Sequence, residues 1–520
     1  MNNKNDSTPI EISEDSSQHD EHLIRIKKLE QMTDLGLYPF IEKFNKQDTA
    51  AEITSIDFKK LRENDRVQKD PRDEVSIAGR IVGIRHHGKV IFADLQDETG
   101  EVQVSFFEST LGAQKYSFVR DFLDTGDFIG VCGEPSLTRQ KKMAIVCSFY
   151  VFLGKSLLPL PGKFYGIEDV EKKYRQRYLD TIIHRDVFNR FKKRSLLIQE
   201  LRSWFISHEF IEISTRTLQP QAGGAVAKPF ITHHNALGHD FALRISPELD
   251  LKMAIIGGFE RVFEFATNFR NEGIDPSHLQ EFQMLEWYCA YKDFEQGMIW
   301  VEEILKTLIP KVLGTEFFTV YDRQGNACEI NISGGYRRIT FADLLAEHDI
   351  DIFSSKDQLF EIALRAGLDR QESKKRSRAN LLDDIYKKIV RPNIIQPTFI
   401  THYPSDLLPL ARPSTQDPRL TDSYQVVIAS WEIVKGYSEL VDPILQRKAL
   451  VAQSLMKQAG DDEAMTVNEE YLAAMEHGMP PITGCGIGID RLATLITGQK
   501  NLRDCVLFPL MKPDDGYKYI

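Results

Sequence analysis

Eight charged residues sit inside apolar, strand-like stretches of this 520-residue sequence: Glu248 in RISPELDLK, Glu264 in RVFEF, Arg270 and Glu272 in FRNEG, Glu286 in MLEWY, Glu432 in SWEIV, Glu439 in YSELVD and Arg491 in GIDRL. An ionised group taken out of water is costly unless it meets a partner, so each of these must have one. One reading is that they pair with one another as buried ion pairs. Taken together, several carboxylates and two arginines on the strands of one sheet describe a pocket for a ligand that carries both signs of charge. An arginine fork suits phosphate or carboxylate; clustered carboxylates suit an ammonium group or a divalent cation.

Other chemistries find no support. The sequence has no GxxxxGK[ST] loop, and its glycine-rich stretch GCGIGID (484–490) fails the GxGxxG pattern at Ile489. HExxH and GxSxG are absent, and the six cysteines lie far apart without a CxxC pair, which fits a reducing compartment. The adjacent pairs His86–His87 and His233–His234 would diverge on a strand, which argues against a metal site. With 65 basic against 76 acidic residues, no global positive field draws the chain to nucleic acid, so such a partner must be met by local contacts. No run of eighteen apolar residues exists and the N-terminus lacks a signal-peptide pattern, so a cytoplasmic protein off the membrane is expected.

The elements that must hold these residues follow from periodicity. Residues 1–22 are polar and acidic and read as a disordered tail; 23–72 form a helical segment opening with Leu23, Ile26, Leu29 and Met32 on one face. Residues 73–155 carry five short β-rich runs, which suggests a small closed barrel of the oligonucleotide-binding kind, with another small barrel or a sandwich equally compatible with strand count. Residues 156–183 read as a hinge. Residues 184–520 form the large domain, in which a long helix is followed by neighbouring strands, so an antiparallel sheet with helices packed on it is expected. Within it, residues 343–395 read as a helical insertion, and their KKRSR run (374–378) as a solvated helix end.

FRNEG (269–273) followed by EFQMLEWY, with GIGIDR (486–491), resembles motifs 2 and 3 of the class II aminoacyl-tRNA synthetases. More closely, the sequence resembles a divergent member of the bacterial-type class II lysyl-tRNA synthetases over roughly residues 75–515, through KKYRQRYLD (172–180), GGAVAKPFITHHNAL (223–237), RISPELDLK (244–252), GGFERVFEF (257–265), QPTFITHYP (396–404), YSEL (437–440) and MEHGMPP (475–481). The resemblance implies an α+β chain with an N-terminal OB-fold barrel that binds the anticodon and a class II antiparallel sheet flanked by helices. It implies L-lysine, ATP with Mg²⁺, and tRNA(Lys) as partners, and a homodimer.

By the same resemblance Arg270 would hold the α-phosphate and the lysine carboxylate, and Arg491 the γ-phosphate, these two being the catalytic residues. Glu272 and His278 would lie near adenine and phosphates, with Phe282 stacking on the base. Glu248 would take the α-ammonium, Glu286, Tyr288 and Glu439 the ε-ammonium, and Gly224 would close over the substrate. Glu432 would bind magnesium, with Gln425 as a weaker second ligand. In the barrel, Phe92 would stack an anticodon base while Arg80 and Gln96 hydrogen-bond to base edges.

Three positions depart from the family pattern: Arg216 replaces the proline of motif 1, Gln425 a metal-binding glutamate, and Lys435 an asparagine that contacts substrate. Arg216 bears on dimerisation. Lys435 would repel an ammonium if it pointed inward, so it is expected to turn toward solvent or phosphate. A ligase for Asp or Asn would need a cation where Glu286 and Glu439 stand, a protein-lysylating relative would lack the barrel, and a catalytically retired RNA-binding paralogue is opposed by Arg270, Glu272, Glu432 and Arg491.

Overall fold

The computed structural model describes residues 14–38, 40–56, 74–138, 140–161, 167, 169–458 and 464–513, the side chains of residues 14–19 excepted. The chain forms two units, Met1–Gly166 and Ile167–Ile520. Among the described residues no helix is long and apolar enough to cross a membrane.

In the first unit a helix runs Glu14–Asp34, so residues 14–22, read from sequence as tail, are helical; residues 1–13 lie outside the described part. Met32 is fully buried, as its helical spacing predicts, but Leu23 is exposed. Arg25 takes the inward position instead, donating to the carbonyls of Thr125 at 2.8 Å and Ser156 at 3.2 Å while its stem packs.

Five strands follow: β1 (Val75–His87), β2 (Val90–Gln96), β3 (Glu101–Phe107), β4 (Phe128–Leu137) and β5 (Met143–Gly154). They close into a barrel in the order β1-β2-β3-β5-β4, the parallel β3–β5 pair completing it. Period-two alternation sends Ile77, Ile81, Ile91, Ala93, Leu95 and Val104 inward. Two helices between β3 and β4, Glu108–Leu111 and Ala113–Phe122, were not foreseen; Leu111, Tyr116 and Val119 join the barrel core.

The second unit is built on an eight-stranded sheet: β6 (Ile211–Glu212), β7 (Arg261–Phe269), β8 (Glu281–Ala290), β9 (Arg337–Thr340), β10 (Thr398–Thr401), β11 (Ser423–Ile428), β12 (Trp431–Ser438) and β13 (Ile482–Gly488), in the order β9-β10-β11-β12-β13-β8-β7-β6. All pairs are antiparallel except β6–β7 and β9–β10 at the two edges. Helices Arg185–Ser207 and Phe294–Leu313 cover one face, where Leu201, Phe205, Val301 and Leu305 meet Phe263, Trp287, Cys485 and Ile487 of the sheet.

The segment read as a hinge belongs to this unit from Ile167 onward. Arg177 is buried, donating to Asp180 at 2.8 Å and to the Arg503 carbonyl at 2.9 Å, so KKYRQRYLD anchors the C-terminal part of the sequence. The segment read as an insertion contains the helices Phe341–Ala346, Lys356–Arg365 and Arg378–Ile385, and Leu345, Leu359, Leu382 and Ile385 form a core there with Ile400 and Val427.

Candidate active site

The sheet face opposite the two long helices carries a cavity of about 400 Å³. Its floor is β13, on which Gly484, Gly486 and Gly488 alternate with Cys485 and Ile487 of the core. Register places Tyr288 and Tyr437 on either side of Gly484, and Glu286 and Lys435 on either side of Gly486. The missing side chains create the space: a Cβ on Gly484 would come within 2.2 Å of the Tyr288 ring and 2.7 Å of Glu439 Oε1. The GCGIG pattern is therefore a strand with one bare face, a period-two signal present in the sequence but tested there only against a dinucleotide loop.

Of the eight charged residues read from sequence, seven line this one cavity: Glu248, Arg270, Glu272, Glu286, Glu432, Glu439 and Arg491. They do not all stand on strands. Glu248 opens the helix Glu248–Ile256, Arg491 lies on the helix Ile489–Ile496, and Arg270 and Glu272 follow the end of β7. Glu264 is the exception: it forms a buried ion pair with Arg244 at 2.6 Å and accepts from Thr215 Oγ1 at 2.8 Å, a purely internal arrangement.

At the inner end, Glu248, Glu286 and Glu439 are all buried. Ser246 Oγ donates to Glu286 Oε1 at 2.9 Å, and Tyr288 donates to Glu286 Oε2 at 3.3 Å. Burial, and then repulsion by Glu248, push the Glu286 carboxyl up to about 8. Glu439 touches Lys252 through Oε2, while its Oε1 has no hydrogen-bond donor among the described residues. Gly224 closes over this end with φ +84°, and a Cβ there would lie 2.9 Å from that of Glu248, so two constraints favour glycine.

At the outer end the arginines dominate. Arg270 has its guanidinium 4.9 Å from the Phe282 ring, and its buried Nε has no hydrogen-bond partner among the described residues. Burial lowers its pKa, partly offset by Glu272. Arg491 donates to the Glu432 carbonyl at 3.2 Å and stands 3.9 Å from the Glu432 carboxylate. His278, held by Asp275 at 2.7 Å, and Phe282 line the same end. Lys435 also lines the cavity.

Gln425 is not brought there. It is paired in register with Lys435, but it is buried and its Oε1 turns to accept from Tyr403 at 2.8 Å, away from the residues that line the cavity. Sequence reading missed the insertion's share of the wall: Arg376, Asn380, Asp383, Asp384 and Lys387 line the cavity, with Arg376 paired to Asp384 at 3.0 Å. Arg376 belongs to the KKRSR run read as a solvated helix end; Arg378 of the same run pairs with Asp406 at 2.9 Å. Arg216 pairs with Asp250 at 3.0 Å and Glu470 at 2.7 Å within the chain.

On the barrel, Arg80 and Gln96 are register partners, and Phe92 lies four pairs along, opposite Arg85 and packed 6.0 Å from the ring of His87. Arg80 donates to the Gly126 carbonyl at 3.0 Å and stacks 4.2 Å over Phe128, whereas Gln96 is buried and donates to Glu101 at 3.1 Å.

Compared with known proteins, residues 169–512 match the class II tRNA synthetases (D, K and N), and residues 75–152 match the OB-fold nucleic acid binding domain. The chain is similar to a lysine–tRNA ligase of Syntrophomonas wolfei, 39% identical over 493 residues that cover 94% of this chain and 96% of that one. It is 39% identical to a lysine–tRNA ligase of Lactococcus lactis over 95% of this chain and 99% of that one. To one of Aquifex aeolicus it is 40% identical over 85% of this chain and 74% of that one.

Proposed function

We infer the reaction from the premise that this chain belongs to the class II tRNA synthetases of the D, K and N group, within which it aligns along nearly its whole length with lysine–tRNA ligases: it is an ATP-dependent ligase that joins lysine to tRNA. In the first step a lysine carboxylate oxygen attacks the α-phosphorus of ATP and pyrophosphate leaves, giving lysyl-adenylate. In the second a terminal ribose hydroxyl of tRNA attacks the lysyl carbonyl and AMP leaves. Neither step needs a side-chain nucleophile, so positioning and charge stabilisation do the catalysis.

The observation that carries the site assignment is the half-partnered Glu439 beside Glu286 and Tyr288. A buried carboxylate oxygen without a donor calls for a ligand cation. In this reading Glu439, Glu286 and Tyr288 take the ε-ammonium and Glu248 the α-ammonium. Arg270, between the two ends, takes the lysine carboxylate and the α-phosphate, and its unpaired Nε is a free donor for that purpose. Arg491 takes the γ-phosphate, while Glu272, His278 and Phe282 receive adenine and the neighbouring phosphates. A neutral side chain would leave the buried carboxylates unpaired, the kind of polar mismatch that gives discrimination of roughly 10⁴-fold.

Magnesium fits the outer end through Glu432, whose carboxylate faces the cavity with Arg491 no closer than 3.9 Å. Mg²⁺ typically takes one or two protein carboxylates together with substrate phosphates. When bound it would neutralise charge on the transferring phosphates. In the barrel, Phe92 and Arg80 would read anticodon bases, and two copies of the chain would form the working enzyme. Pyrophosphate exchange into ATP, measured with each amino acid in turn and followed by charging of tRNA(Lys), tests the assignment. Lysine-dependent exchange and charging are expected, and exchange with another amino acid but not lysine would overturn it.

A further inference from the structure

Behind the carboxylates at the inner end of the cavity stands an ammonium group that belongs to the chain. Lys252 lies one turn after Glu248 on the helix Glu248–Ile256 and is fully buried. Its Nζ stands 2.6 Å from Glu248 Oε1 and touches Glu439 Oε2. The rings of Tyr437 and Tyr288 lie 5.6 and 5.9 Å from it. Tyr437 donates to the same Glu248 oxygen at 2.7 Å, and the buried Tyr471 adds a further phenol to its surroundings.

A lysine taken wholly out of water tends to lose its proton. Here Glu248 and Glu439 outweigh that tendency and raise the Lys252 pKa above the ordinary lysine value, so it stays charged. Burial and the neighbouring carboxylates push the Glu439 carboxyl up, and Lys252 is the cation that opposes them.

We propose that Lys252 is the positioning residue of the amine pocket: a built-in ammonium that orients Glu248 and Glu439 and sets the negative charge left over for the substrate at one unit. Three carboxylates, Glu248, Glu286 and Glu439, face two fixed cations, Lys252 and Arg270. Counted as ionised, they leave one negative charge, and free lysine, with two ammonium groups and one carboxylate, brings one positive charge. A monoamino acid brings none. Without Lys252 the same carboxylates would face Arg270 alone, and the empty pocket would have to take up one further proton or a small cation that lysine must then displace. Lys252 touches no reacting atom, so its influence runs through the two glutamates. The proposal rests on the assignment of this end of the cavity to the amines of lysine.

The test uses the full-length protein carrying Lys252→Met, Lys252→Arg or Lys252→Ala. Lysine binding is measured by calorimetry in buffers of different ionisation enthalpy, and Michaelis constants for lysine and ATP by pyrophosphate exchange. Lysine Kd should rise about 100-fold or more in Lys252→Met at pH 7, with ATP affinity changed less than about twofold. About one additional proton should be released per lysine bound, and the loss should shrink toward pH 9. Ethylammonium should restore part of the lysine affinity of Lys252→Ala, and Lys252→Arg should retain more affinity than Lys252→Met.

Wild-type lysine Kd and proton release in a folded Lys252→Met protein would overturn the proposal, as would equal damage to lysine and ATP binding. If Lys252→Met does not fold, the decision passes to Lys252→Ala, where failure of ethylammonium to raise lysine affinity has the same force. The underlying assignment fails separately, by absence of lysine-dependent exchange in the wild type or by a wild-type lysine KM in Glu439→Gln.

Discussion

At the inner end of the cavity the buried Glu248 and Glu439 meet one internal ammonium beside Glu286, whereas at the outer end Arg270 and Arg491 stand with Glu272 and Glu432 in a more open space. The Glu432 and Arg491 side chains are 24% and 31% exposed, against 1% for Glu439 and none for Lys252. The inner end is shaped by what its groups would lose if left unpaired, which in the proposed assignment would give selectivity. In the proposed assignment the outer end, which is wetter, would accommodate a polyanion and its metal and stabilise charge that grows during the reaction. Selection of the amino acid and acceleration of its activation would thereby fall, on the proposed assignment, in different dielectric surroundings.

Substitutions that act on one end alone would sharpen this contrast. Glu439→Gln should raise the lysine KM about 10³-fold, in line with a broken buried charge pair, while changing the ATP KM less than about twofold. Equal damage to both would erase the distinction. Arg491→Ala should lower the exchange rate about 100-fold with lysine Kd nearly unaltered, read by calorimetry without ATP.

A pH series separates the ends without mutation. With its carboxyl raised to about 8, Glu286 holds a proton in the empty site at neutral pH, and in the proposed assignment the ε-ammonium would require the ionised form. Lysine affinity should therefore fall about tenfold per pH unit below that value and level off above it, until the amines of free lysine begin to lose their protons. A flat profile between pH 6 and 8 would contradict the role given to Glu286.

Two smaller effects probe the edges of the comparison. Phe92→Ala on the barrel should raise the tRNA KM about tenfold, as for one lost stacking contact, and leave exchange untouched. Lys435→Asn should weaken ATP about fivefold without changing lysine Kd if its ammonium serves the phosphates; a tighter lysine Kd instead would show that it faces the amine end.

Much of this site was legible residue by residue. A charge within an apolar stretch is a local signal, and it marked Glu286, Glu432 and Glu439, which line the cavity, as residues needing a partner. It marked Glu264 equally, although Arg244 satisfies that residue internally, because the signal states the need and not who meets it. Lys252 escaped notice because in PELDLKMAII it looks like an ordinary helix-surface partner of Glu248, four residues on. Arg376 and Lys387 escaped because nothing in their charged neighbourhood tells a cavity wall from a solvated helix.

The linear order of the residues determined the alternation that closes the barrel, the strands of the large sheet, the bare face of β13 and the number of charges committed to the interior, since periodicity and composition act over a few neighbours. Only the tertiary structure decided that Glu439 and Glu248 share one lysine, that Gln425 turns to Tyr403, and that the insertion reaches the cavity. Electrostatic partnership depends on distance through space and on exclusion of water, and both are properties of packed surfaces that no stretch of chain possesses before it folds.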